Sequence, residues 1–288
     1  MLDIPKKHDY LIAFDSDGCV FDTMELKHKE CFIPNIINHY GLQAVSKYAR
    51  EAAEFVNLYS KSRGINRFPA LIEALEWLQK RPEVQARGKT IEIPASLRAW
   101  VKNETKLGNP ALEAKVKETD DPELMKALVW SKAVNETIDG MVRDVPPFPF
   151  VEDVLKKIDG KADVIVCSAT PNKNLQLEWA EHKIDGYVAL IAGQEVGTKK
   201  EILTHAKQYG SNKTLMVGDA PGDYAAAKAN NCLFFPINPG DEEASWEELF
   251  KTGIDRFFAG TFAGDYQKQL LDKFDSYLPE KPKWKVVG

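Results

Sequence analysis

The stretch LIAFDSDGCVFDTM, Leu11–Met24, carries Asp15, Asp17 and Asp22 directly behind an apolar run. Asp15 and Asp17 lie two apart, and Gly18 permits a sharp exit from a strand, so both carboxylates can face one site. The same Asp-Ser-Asp-Gly letters are also ordinary turn formers. A second cluster, VGDAPGDYAAA, places Asp219 and Asp223 around Pro221 and Gly222. Asp223 is also placed to cap a helix beginning near Tyr224, whereas Asp219 has no such role. If Asp15, Asp17 and Asp219 come together, their like charges repel and burial adds a desolvation cost. A divalent cation relieves both. A few hard oxygen ligands suit Mg²⁺, which keeps several waters and bridges readily to phosphate.

Other chemistries have less support. His8, His28, His39, His182 and His205 show no ligand-like pairing, and Cys19, Cys31, Cys167 and Cys232 form no CxxC motif. Cys19 follows the acidic loop, but no base is placed to activate it, so Cys19 and Phe21 read as packing residues.

The elements that must position these groups are short apolar runs ending in small or acidic residues. They are Tyr10–Asp17, Asp163–Thr170, Tyr187–Gln194, Thr214–Ala220 and Cys232–Ile237. Such runs fit strands covered on both faces. Segments with helical spacing, VEDVLKKI, NLQLEWAEH, KKEILTHAKQYG and GDYAAAKANN, separate them. This alternation predicts an α/β fold with a doubly wound parallel sheet, whose ligand crevice lies beyond the carboxyl ends of the strands. Asp15, Asp17, Ser168 and Asp219 fall at those ends. The middle of the chain, 23–147, carries helical periodicity in KYAREAAEFVNLYSK, FPALIEALEWLQK and DPELMKALVWSKAVNETI and no strand-like run, so it reads as a mainly helical insertion. Pro146, Pro147 and Pro149 suit a stiff linker back to the sheet.

Composition narrows the function. At 288 residues and 44% hydrophobic the chain can bury a large core, and a net charge of -5 gives no general basic surface for nucleic acid or anionic lipid. No apolar run approaches the ~20 residues that span a membrane, and the start lacks a signal-peptide apolar region. A reducing, cytoplasmic setting is expected.

These motifs together resemble the haloacid dehalogenase-like (HAD) superfamily. FDSDGCVFD resembles its DxDGxxxD motif, VIVCSAT its strand-end Ser/Thr motif, GTKKEIL its lysine motif and VGDAPGD its GDxxxD motif, all in order. The resemblance implies a Rossmann-like core of residues 1–22 and 148–288 and a helical cap of the C1 type, residues 23–147. It implies that Asp15 is the nucleophile, that Asp17 is the general acid and base, and that Ser168 and a lysine bind the phosphoryl group. Mg²⁺ would be held by Asp15, the Asp17 main-chain carbonyl, Asp219 and Asp223. Lys199 and Lys200 are both candidates for the lysine, and the spacing to Leu203 favours Lys199, leaving Lys200 as a substrate contact. Asp22 matches the motif's last position and reads as structural at the hinge.

The implied activity is hydrolysis of a small phosphorylated metabolite through an aspartyl-phosphate. An acid/base Asp17 argues against the dehalogenase branch, and the DKTGT motif and membrane helices of P-type ATPases are absent. A phosphomutase of the same fold and a catalytically idle binding protein are the alternatives. Within the cap, SKSRGINRF makes Arg63, Asn66 and Arg67 the candidates to meet an anionic substrate. The tail, SWEELFKTGIDRFFAGTFAGDYQKQLLDKF, carries a short element at RFFAGTF with a helix after it and reads as an addition to the core.

Overall fold

Leu11–Phe14, the run ahead of Asp15, forms β1, the central strand of a five-stranded parallel sheet in the computed structural model, which describes residues 5–287. The others are β2 (Asp163–Cys167), β3 (Leu190–Ala192), β4 (Thr214–Gly218) and β5 (Leu233–Pro236), in the order β3-β2-β1-β4-β5. Each lies inside one of the apolar runs read from the sequence. β2 and β3 are added on one side of β1 and β4 and β5 on the other, so the winding reverses at β1. That reversal opens a crevice beyond the carboxyl ends of β1 and its neighbours.

The register explains the two-sided burial. Ile12 aligns with Val164 and Leu215, and Phe14 with Val166 and Val217. This row feeds one core that includes Trp179, Trp246 and Phe257. Leu11, Ala13, Ile165, Met216 and Phe234 point to the opposite face, against Ile202, Leu203 and Phe274. Alternation along each strand thus divides side chains between two buried layers. Helices Val151–Ile158, Asn172–Glu181, Pro221–Ala229 and Asp265–Tyr277 belong to this unit. KKEILTHAKQYG is not one α-helix: it forms a four-residue helix, Lys199–Ile202, followed by a 3₁₀ segment, Leu203–Gln208.

The chain divides into two units, one comprising residues up to Met24 with Arg143–Leu278, the other Glu25–Val142 with the segment that starts at Pro279. The second unit is helical, with Ser46–Leu58, Arg67–Gln79, Ala95–Asn103, Asn109–Thr119 and Pro122–Met141 as its longer helices. Its core holds Phe68, Trp100 and Trp130, with the Phe68 ring edge-on to both tryptophans. Asp121 caps the longest helix by accepting from the Glu123 and Leu124 amides, and Pro122 supplies the ring-fixed first residue.

The end of the chain departs from the expectation that it belongs wholly to the core. The Arg81 guanidinium lies between the Tyr48 and Trp284 rings, 4.8 and 4.4 Å from their centroids, and Trp284 also meets Phe55 edge-on. Val287 donates its amide to the Lys80 carbonyl at 2.9 Å. An aromatic and a buried cation give the tail a reason to leave the sheet unit and join the helical one. No helix among the described residues is long and apolar enough to cross a membrane.

Candidate active site

Three strand ends and two helix starts build the site, all in the sheet unit. Asp15 follows β1 and continues its ladder through a 3.0 Å bond from its amide to the Val217 carbonyl. The chain then turns tightly: the Ser16 carbonyl accepts from the amides of Cys19, Val20 and Phe21, and Gly18 adopts φ +74°. A residue with a Cβ is disfavoured in that left-handed conformation. Two tryptophans fix the turn from within the core. Trp179 Nε1 donates to Ser16 Oγ at 3.0 Å, and Trp246 Nε1 donates to the Cys19 carbonyl at 2.7 Å. A buried indole needs such an acceptor, so each hydrogen bond satisfies a tryptophan and holds the acidic loop in place.

Asp219 follows β4, and Asp223 stands in the first turn of Pro221–Ala229. The helix begins at Pro221 and not near Tyr224, so Asp223 is its third residue and not its cap: its Oδ2 accepts from the Ala220 amide at 3.1 Å and its other oxygen accepts from Lys199. Gly218 is required beneath it, because a Cβ there would lie 2.6 Å from both the Cβ and Oδ2 of Asp223.

Thr198 and Glu201 form a reciprocal capping box, which fixes the start of Lys199–Ile202 and hence which lysine turns inward. Lys199 Nζ lies 2.7 Å from Asp15 Oδ2 and 2.5 Å from Asp223 Oδ1. Lys200 is exposed.

The electrostatics follow from this count of charges. Asp15, Asp219 and Asp223 are buried, and one carboxylate oxygen from each lies within 4.8 Å of the others. Burial drives the Asp15 carboxyl well above its ordinary range, against the pull of Lys199, while Asp223 and Asp219 push it further. Burial also pulls Lys199 down, but Asp15 and Asp223 more than offset it and leave the ammonium well above the usual lysine value. Both groups shift upward, Asp15 chiefly because it is buried and Lys199 because two carboxylates lie against it. Surplus buried negative charge and all-oxygen donors are what Mg²⁺ would complement, so the residues present fit that ion. Cys19 is completely buried, and burial raises its thiol well above the ordinary range, as expected of a packing residue.

Asp17 stands in a different environment. Its Oδ1 accepts from Thr23 Oγ1 at 2.5 Å and its Oδ2 from Thr170 Oγ1 at 2.6 Å. Ser168 follows β2, is buried, and bonds through its amide to the Ala192 carbonyl at 3.0 Å. Asp22 is exposed. Thr23, Thr170, Trp179 and Trp246 were not singled out in the sequence. Thr170 had a visible signal, being a hydroxyl residue two places after Ser168 at the same strand end.

The residues expected to meet the substrate from the helical unit are engaged there. Arg63 is only 2% exposed and its Nη1 donates to the Leu58 carbonyl at 2.9 Å. Asn66 caps Arg67–Gln79 through a 3.0 Å bond from the Phe68 amide and donates to the Leu107 carbonyl. Arg67 donates to Ser131 Oγ and Asn135 Oδ1 and stacks over Phe32, and burial takes its guanidinium down to about 10.

Comparison with known proteins settles the family. The model of the haloacid dehalogenase-like hydrolases matches residues 11–231, which run from β1 past the Asp219 and Asp223 cluster. The chain belongs to the haloacid dehalogenase-like hydrolase family. A search of curated proteins returns no match. Among solved structures, a haloacid dehalogenase-like family protein of Streptococcus pneumoniae is 12% identical, over 83% of this chain and 90% of that one, with a TM-score of 0.49. A family hydrolase of Xanthomonas campestris is 12% identical over 88% and 93%, with a TM-score of 0.45. A predicted phosphatase of Clostridium acetobutylicum is 15% identical over 91% and 98%, with a TM-score of 0.43.

Proposed function

We propose that this hydrolase is a Mg²⁺-dependent phosphatase acting on a small phosphorylated metabolite through an aspartyl-phosphate at Asp15. The observation that carries the reading is the contrast between two aspartates only two residues apart. Asp15 is buried against Lys199 in a carboxylate cluster, whereas Asp17 accepts from the hydroxyls of Thr23 and Thr170. Paired carboxylates in unlike environments are how one site divides nucleophile from proton carrier.

In the first step an Asp15 oxygen attacks phosphorus, the bond from phosphorus to the ester oxygen breaks, and Asp17 gives that oxygen a proton. In the second step Asp17 takes a proton from water, the water oxygen attacks phosphorus, and the bond to Asp15 breaks to release inorganic phosphate. Ser168 donates to the phosphoryl oxygens, and Lys199 offsets the charge gathering on them. Asp15, Asp219 and Asp223, with the Asp17 carbonyl, would hold Mg²⁺. Its chemistry when bound is to shield an anionic phosphate from an anionic nucleophile. The helical unit would serve as the C1-type cap that excludes water during the first step.

Phosphate release from p-nitrophenyl phosphate and a panel of phosphorylated metabolites, measured with Mg²⁺ and with EDTA, tests this. Turnover that EDTA abolishes and added Mg²⁺ restores is expected. Metal-independent turnover, or none with any ester, contradicts it.

A further inference from the structure

Thr170 stands between the two halves of the proposed chemistry. Its amide approaches Ser168 Oγ at 3.3 Å and its hydroxyl donates to Asp17 Oδ2 at 2.6 Å. One residue thus touches both the hydroxyl assigned to the phosphoryl oxygens and the carboxylate assigned to proton transfer. Its own main chain is fixed in turn. The Thr170 carbonyl accepts from the Gln194 amide at 3.1 Å, and Gly193 packs so closely that an added Cβ would collide with that carbonyl oxygen. The same Cβ would lie 2.7 Å from Asn172 Oδ1, which accepts from the Gly193 amide at 2.5 Å. A glycine after β3 therefore seats Thr170, and Thr170 in turn seats Asp17.

We propose that Thr170 is a positioning residue for Asp17, with its hydroxyl setting the direction in which the carboxyl presents its proton to the leaving oxygen. The inference rests on the phosphatase reading above. A threonine hydroxyl carries a single proton, so while it donates to Oδ2 it holds that oxygen in direction and restricts the plane of the carboxyl. Thr23 holds the other oxygen at 2.5 Å, so the carboxyl is clamped at both oxygens, from residues before and after the inserted helical unit. Proton transfer depends on such alignment within hydrogen-bond reach, and its benefit grows as the leaving group becomes more basic.

The test is kcat/KM with Mg²⁺ for a series of aryl phosphates, from p-nitrophenyl phosphate to the more basic leaving groups of phenyl and 4-methoxyphenyl phosphate. This parameter reports events up to phosphoryl transfer, so water attack in the second step does not mask the result. Thr170→Val keeps the shape and removes the hydroxyl; it is expected to lose about threefold on p-nitrophenyl phosphate and about 30-fold on 4-methoxyphenyl phosphate. Thr170→Ser, which restores the hydroxyl, should stay within about threefold of wild type throughout. Gly193→Ala, which displaces Thr170 without changing it, should steepen the leaving-group dependence as Thr170→Val does, and it carries the test should Thr170→Val fail to fold. An equal loss on every ester, a change in KM alone, or no rescue by serine would overturn the inference and leave the phosphatase reading intact. A wild-type protein inactive on every ester would remove both.

Discussion

Asp15→Asn is expected to lower turnover of any phosphomonoester by about 10,000-fold or more while leaving the protein folded. A carboxamide is not a nucleophile toward phosphorus, and no other group among the described residues shares the position of Asp15 beside Lys199 and Asp223. The stability half of the expectation runs opposite to most core substitutions. Asp15 is one of three clustered buried carboxylates, and burial already drives its carboxyl upward. Replacing it with a neutral residue of the same shape relieves repulsion, so thermal unfolding in EDTA should be unchanged or shifted to higher temperature, by the equivalent of about 1 kcal/mol. Full activity in this variant would remove Asp15 as nucleophile. A large loss of stability would show that Asp15 holds the fold.

Lys199→Met carries the second large effect. Lys199 Nζ bridges Asp15 and Asp223 at 2.7 and 2.5 Å, and its removal takes from these two buried carboxylates the cation they share. Breaking a buried charge pair from one side costs about 3 kcal/mol, which should appear in the denaturant midpoint measured with EDTA. Losing a cation aimed at the phosphoryl group should also cost about 100-fold in kcat. Added Mg²⁺ should recover more stability in this variant than in wild type, since the ion then supplies the missing positive charge. Lys200→Met, by contrast, should change stability by less than about 0.5 kcal/mol and leave kcat near wild type, because that side chain is exposed. Equal effects at the two lysines would contradict the assignment.

The sheet was legible because its strands are apolar on both faces. A run such as Leu11–Phe14 or Asp163–Cys167 has no role outside a doubly covered sheet, and the residues just beyond it fall at the ligand crevice. Lys199 was favoured over Lys200 by its spacing to Leu203, while the capping box of Thr198 and Glu201 that fixes the first turn was not read. The clamp on Asp17 was not legible. Thr170 is 153 residues from Asp17, and their contact depends on β1 and β2 pairing in register, which no local pattern encodes. The burial of Arg63 was not legible, because a charged, glycine-containing loop looks solvated in sequence. That burial arises only when the helices pack, whereas the capping bond from the Phe68 amide to Asn66 is local. The tail was misassigned because the affinity of Trp284 for the Arg81 and Phe55 faces is tertiary, joining segments about 200 residues apart.

The most direct test of the account is to trap the covalent intermediate. An acyl phosphate is reduced by borohydride to an alcohol, which converts a phosphorylated aspartate to homoserine. Protein quenched during turnover of p-nitrophenyl phosphate with Mg²⁺, reduced and read by peptide mass spectrometry, should carry homoserine at position 15 and aspartate at position 17. Modification at another residue, or turnover at full rate with none trapped at Asp15, would contradict the division of labour between the two aspartates.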